Sequence, residues 1–325
     1  MMNRTFRRVL CLTALGLAVL TPLAHSQSSP GKVVKLVVPY AAGGGTDILG
    51  RQLAQALATE LKTSVIVDNR AGAGGNIGAS EVVRAAPDGT TLLLGDLALA
   101  VNPSLIKKMP FDPVKDLQPV ALVATAPLVL VVSKSTAADS VKNLVAQAKA
   151  HPGKLTFASA GNGNPPHMAG ELFKLTTGTD IIHVPYKGVG PALNDILGDQ
   201  VSMLFTGISS TKAHIDSGRI KALAVTSAKR APTLPNVPTM REAGFPEVDV
   251  TSWWALYAPA GLPPAMVESI SRAAERALKT DDLQEKLAKQ NIEPTYGNAA
   301  TLQEKLRSET DKWAKVMRSA NITPE

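Results

Sequence analysis

Two spacings of apolar residues alternate along the chain. Short runs rich in Val, Ile and Leu, "VKLVVPY" (34–40), "SVIVDN" (64–69) and "TLLLG" (91–95), read as strands. Between them lie stretches of helical spacing. "TDILGRQLAQALATELK" (46–62) puts Ile48, Leu49, Leu53, Leu57 and Leu61 on one face. "NIGASEVVRAA" (76–86) is the next, ended by "PDG". Strand, helix, strand, helix, strand predicts a largely parallel sheet with helices on both faces.

The rhythm breaks and then resumes. A Pro-punctuated stretch covers 102–119, and "VALVATAPLVLVVS" (120–133) is too long for an ordinary strand. It reads as a strand that leaves one lobe and enters another. The second rhythm comprises "SVKNLVAQAKA", "KLTFAS", "PPHMAGELFKLTTG", "DIIHVPY", "GPALNDILGD", "VSMLFTG", "TKAHIDSG" and "IKALAVTS". After an irregular segment, "SWWALYAPAG" (252–261) forms another apolar strand, and the tail is helical over 264–279, 281–290 and 300–319. The expected architecture is α/β, two lobes joined by two crossing strands. Residues 27–126 plus 248–325 form the first lobe and 127–247 the second. Strand ends from both lobes would face one cleft, where ligands of open α/β sheets sit.

The N-terminus adds a compartment. Arg4, Arg7 and Arg8 precede the apolar run "VLCLTALGLAVL", and Ala24 and Ser26 supply the small residues of a cleavage site. This predicts a cleaved signal peptide over 1–26 and export to the periplasm. The apolar run is too short for a membrane anchor. Cleavage would leave 31 Lys and Arg against 27 Asp and Glu, a net charge of +4. That mild balance, with no basic cluster among aromatics, gives no reason to expect nucleic acid. The single cysteine, Cys11, lies in the signal segment. Thiol catalysis, disulfides and thiolate metal sites are therefore not expected in the exported chain.

Candidate chemistry concentrates in glycine-rich loops that run from strands into helices: "PYAAGGGTD" (39–47), "NRAGAGGNIG" (69–78) and "ASAGNGNPPH" (158–167). "VPYKGVGP" (184–191) has the same placement. A helix start offers unpaired N–H groups and the positive end of the dipole, and so attracts an anion. No Lys-Ser/Thr pair follows these glycines, as a phosphate loop needs, and Ile77 stands where a dinucleotide fingerprint needs its third glycine. Thr46 and Asp47 are placed to cap the first helix. His167 and Glu171 are four apart, but two ligands make no metal site. His167 is expected either to touch a ligand or to fix its loop, and His183 to be packed in a strand. Trp253, Trp254 and Tyr257 read as core, whereas Tyr40 and Tyr186 stand at glycine loops as pocket walls. There is no G-x-S-x-G and no convincing nucleophile with a base, so no enzyme, cofactor or metal is expected.

Taken together, "VPYAAGGGTD", "VDNRAGAGGNIGA", "AAPDGTTLLLG", "HPGKLTFASAGNG", "HMAGELF", "VPYKGVGPALNDILGDQV", "LPNVPTMREAGFPEV" and "WWALYAPAGLP" resemble the Bug family. These are the extracytoplasmic solute receptors of tripartite tricarboxylate transporters. The resemblance implies a periplasmic binding protein of type II that closes its lobes on a small organic acid, as a monomer, and passes it to membrane transporter subunits. A sensor that presents the same acid to a membrane signalling protein is the alternative. Carried over by position, the contacts would be Tyr40, Ala42, Gly43, Gly44 and Asp47 in one lobe. In the other they would be Ser159, Gly161, Asn164, His167 and Tyr186. The loop neighbours Thr46, Ala160 and Gly188 complete the set, with two positions that depart from the family pattern. Thr206 stands where many members carry an acid, and "DLALA" with Leu97 and Leu99 replaces small polar residues. Both departures lean towards a carboxylate without an amino group.

Overall fold

The computed structural model describes residues 33–319, which belong to one compact unit. The expected signal segment lies outside them. The strands are β1 (Val34–Val38), β2 (Val65–Asn69), β3 (Thr91–Asp96), β4 (Leu117–Val132), β5 (Thr156–Ser159), β6 (Ile182–Pro185), β7 (Met203–Gly207), β8 (Lys221–Val225), β9 (Thr251–Pro259) and β10 (Glu293–Gly297). The helices are α1 (Gly45–Leu61), α2 (Asn76–Val83), α3 (Ala98–Leu105), α4 (Val141–Ala150), α5 (Pro165–Thr177), α6 (Val189–Leu197), α7 (Ile208–Asp216), α8 (Pro264–Leu278), α9 (Asp281–Ala288) and α10 (Ala299–Ser319). Among the described residues no helix is long and apolar enough to cross a membrane.

One strand ties two groups together. The first eleven residues of β4, Leu117–Pro127, pair antiparallel with β9, and its last five, Leu128–Val132, with β7. The first group runs β2-β1-β3-β9-β4, with β1 parallel to both β2 and β3. The second runs β4-β7-β5-β6, with β5 parallel to β6 and β7. The chain thus passes between groups at Pro127–Leu128 and returns through residues 248–250 into β9.

Side-chain alternation assembles the core. In β9, Trp253, Ala255 and Tyr257 enter one buried cluster, while Trp254, Leu256 and Ala258 enter another on the opposite face. β4 divides in the same way, with Leu128, Leu130 and Val132 on one side and Val129 and Val131 on the other. A period of two on a strand covered on both faces requires this. Helix α1 sends Leu49, Leu53 and Leu57 into the second cluster against Val267, Ile270 and Ala274 of α8. Each such leucine contributes about 1.5–3 kcal/mol by leaving water.

Two elements differ from the sequence reading. Helix α3 starts at Ala98 and carries Pro103 inside its first two turns, within a stretch expected to be irregular. Pro103 is the sixth helical residue, past the spare N–H groups of the first turn, so it removes one intrahelical bond, and the helix ends two residues later at Leu105. Strand β10 was not expected. Its Pro294 and Gly297 interrupt any strand pattern, yet it pairs antiparallel with β4.

A cleft at four helix starts

Four strand-to-helix junctions open on one cleft. From the first group come Gly44, Gly45, Thr46 and Asp47 at the start of α1. From the second come Ala160, Asn164, Pro165 and Pro166 before and in α5, Val189 at the start of α6 and Gly207 before α7. Tyr40, Asp96, Leu128, Ser252 and Trp254 complete the walls. Helices α1, α6 and α7 begin at Gly44, Gly188 and Gly207, and none of these glycines provides a side-chain cap. Their first N–H groups and positive dipole ends therefore remain for a ligand.

Helix α5 is arranged differently. Asn164 caps it, its Oδ1 accepting from the His167 N–H at 3.0 Å. That bond fixes the amide orientation and leaves Nδ2 buried without a partner. A buried donor of this kind calls for an acceptor in the cleft. Thr46 adds a hydroxyl: Trp254 Nε1 donates to its Oγ1 at 2.9 Å, so its own proton is available to another acceptor.

Asp47 builds the first loop. The expectation that Thr46 and Asp47 cap α1 is corrected: Gly44 is the N-cap, and both residues lie inside the first turn. The Asp47 carboxylate accepts from the Gly43 N–H at 3.0 Å, from Asn69 Nδ2 at 3.0 Å and from Arg51 at 2.9 Å. Burial pushes its pKa up, but the bonds from Arg51, Gly43 and Asn69 outweigh that and hold it below the usual range.

The loop before α5 rests on neutral groups. The Gly163 N–H donates to His167 Nδ1 at 3.1 Å, so His167 fixes its loop and does not line the cleft. His183 stacks on His167 at 4.2 Å between ring centroids and on Phe157 at 4.7 Å. Its Nε2 lies 2.6 Å from Ser159 Oγ, which in turn donates to the Gly161 carbonyl. Burial pushes His167 down to about 3, helped by the neighbouring His183 and Lys174. Burial and Lys174 push His183 down to about 4.

Of the residues expected at the site, Tyr40, Gly44, Thr46, Asp47, Ala160 and Asn164 line the cleft. The others do not, each for a visible reason. Ala42, Gly43 and Gly188 sit where the first and fourth loops meet: the Ala41 N–H donates to the Lys187 carbonyl at 2.9 Å. Gly161 packs against Gly74 of the second loop, where a Cβ would lie 3.2 Å from the Gly74 Cα. Ser159 is spent on His183 and Gly161, and the Tyr186 hydroxyl donates to Asp195 at 2.5 Å. Burial and Asp195 push that phenol up to about 12. Leu97 is core, and Thr206 is fully buried with its hydroxyl 3.2 Å from Ser210 Oγ.

Sequence reading missed Asp96, Trp254, Ser252, Leu128 and Val189. Trp254 was readable in principle, since alternation puts it on the opposite face from Trp253 and Tyr257. Asp96 is 4% exposed at the end of β3, and its Oδ1 accepts from the Tyr40 hydroxyl at 3.0 Å and the Ala98 N–H at 2.9 Å. Among the described residues no cluster suits a metal ion.

Known proteins share this design. The model of the tripartite tricarboxylate transporter family receptors matches residues 49–322. Protein BugT of Bordetella pertussis is 39% identical over 291 residues, 89% of each chain. The structure of the periplasmic binding protein BugD superposes with a TM-score of 0.88 at 34% identity, covering 91% of this chain and 100% of that one. A Rhodopseudomonas palustris protein solved with adipate gives 0.87 at 36% identity, with coverage of 91% and 100%.

Proposed function

The chain belongs to the tripartite tricarboxylate transporter receptor family, and from that premise we propose that it captures a small organic carboxylate and delivers it to membrane transporter subunits. The unpartnered Asn164 Nδ2 in the cleft carries this reading. It stands among helix starts that favour negative charge, with no lysine or arginine among the described residues that line the cleft. Neutral donors can take up a carboxylate without an unpaired cationic side chain buried in the empty cleft, which would be costly. The adipate in the related structure is an acid of this class.

Capture works by lobe closure, with the lobes divided at residues 127 and 248. The ligand touches helix starts from both strand groups, so it stabilises the arrangement in which they face each other. No step of bond making is involved: no nucleophile is paired with a base among the cleft residues. The protein acts after export, with residues 1–26 removed, and as a monomer.

A thermal-shift screen against small organic acids tests the reading. At a hundredfold excess over Kd, one acid class should add about 2.7 kcal/mol of stability. Asn164→Asp keeps the oxygen that caps α5 and replaces the free donor with a negative charge. It should abolish that shift while leaving the unliganded melting point near wild type. No shift with any carboxylate, or full binding by Asn164→Asp, would sink the proposal.

A further inference from the structure

The cleft is lined by one carboxylate that nothing balances. Asp47 also lines it, but Asp47 is neutralised by Arg51. Asp96 is not: among the described residues it forms no ion pair, and its neighbours in the walls include Leu128 and Trp254. Both of its hydrogen bonds fall on Oδ1. The unused accepting capacity is therefore on Oδ2. A buried carboxylate left in this state is costly unless a cation or a strong donor arrives.

We infer that Asp96 is a specificity-determining residue, selecting among small carboxylic acids one that also carries a cationic nitrogen. The inference rests on the carboxylate reading above and narrows it. The ligand's carboxylate meets Asn164 Nδ2 and the helix starts, and its ammonium meets Asp96 Oδ2. A charge-assisted bond at Asp96 replaces the water lost on entry, whereas a plain diacid brings a second negative charge to the same walls. Burial holds the Asp96 carboxyl up at about 6, against the opposing effect of the Ala98 N–H and the Tyr40 hydroxyl. Desolvation with no cation nearby has that effect.

This reverses the expectation of an acid without an amino group. That expectation rested on Thr206, Leu97 and Leu99. All three are buried away from the cleft walls, so they do not report on the ligand.

Titration calorimetry at pH 8 on the mature chain decides the matter, with matched pairs: succinate and aspartate, glutarate and glutamate, adipate and 2-aminoadipate. Malate serves as the uncharged-donor control. In at least one pair the amino member should bind about tenfold or more tightly than its plain partner and than malate does. Asp96→Asn and Asp96→Ser should remove that preference. Equal or tighter binding of the plain member in every pair that binds overturns the inference. So does a preference that survives both variants, or malate matching aspartate. If no member of any pair binds, the carboxylate reading itself falls and this inference falls with it. Should Asp96→Asn fail to fold, the wild-type ranking and Asp96→Ser still decide.

Discussion

The loops Pro39–Asp47 and Ala158–His167 occupy equivalent places in the two strand groups and are held by opposite means. The first is organised by an ionised carboxylate, Asp47, with Arg51 and Asn69 around it. The second is organised by two stacked neutral imidazoles and Ser159. Both present a helix start to the same cleft. Glycine-rich turns that look alike in sequence can therefore differ in what fixes them, and so in what disrupts them.

Acid should separate the two loops most strongly. His167 and His183 have folded pKa values near 3 and 4, below the unfolded 6.5, so their contribution is lost as pH falls. Asp96 works the other way: its folded value near 6 exceeds the unfolded 3.8, so the fold takes up its proton first. Between pH 6 and 4 the unfolded chain holds roughly two more histidine protons than the folded chain, and the folded chain holds about one more at Asp96. The net of one proton should cost on the order of 3 kcal/mol over that range. Asp47, held low, loses its contribution only below that window. Urea titrations at pH 6, 5 and 4 measure the slope. Asp96→Asn should double it and His183→Phe should nearly abolish it; an unchanged slope in both variants would show that the second loop is not the acid-sensitive one.

A middle-sized effect should come from where the first loop touches the turn at 184–191. Gly190, at the start of α6, has ordinary backbone angles, but a Cβ there would lie 2.2 Å from the Ala42 carbonyl oxygen. Gly190→Ala should weaken ligand binding roughly 10- to 100-fold through about 1–3 kcal/mol of overpacking. Undiminished affinity in calorimetry would show that the first loop and the 184–191 turn need not meet for capture.

The smallest effect should be at a glycine far from every cleft loop. Gly178, which ends α5 with φ +60°, has nothing within 4 Å of an added Cβ. Gly178→Ala should cost about 1 kcal/mol in melting experiments from backbone strain alone, with ligand affinity unchanged. A change in affinity would mean that loop geometry is sensitive to the far end of α5.

These glycines also show how far the sequence could be read. "PYAAGGGTD" announces a close backbone approach, and the approach is real, but its object is partly the protein itself. A Cβ on Gly44 would meet Val189 at 3.1 Å, and one on Gly74 would meet the Asn162 carbonyl oxygen at 2.3 Å. Nothing in a linear pattern says whether a glycine makes room for a ligand or for another loop. Asn164 was reached only through the family resemblance, carried over by position. His167 was legible only as two alternatives, because its partner Gly163 depends on how the loop turns.

By itself the sequence determined the alternation of strands and helices, the unusual length of β4, and the family. Those follow from local periodicity and from motifs spread along the chain in a fixed order. Tertiary structure decided which groups reach the cleft. Asp96, Trp254 and Ser252 arrive on strands whose apolar patterns look like core, and Thr206 and Leu97 turn away from it. Facing is set by the register of strands distant in sequence, such as Asp96 opposite Trp254, and a one-residue change of register would exchange every inside for an outside.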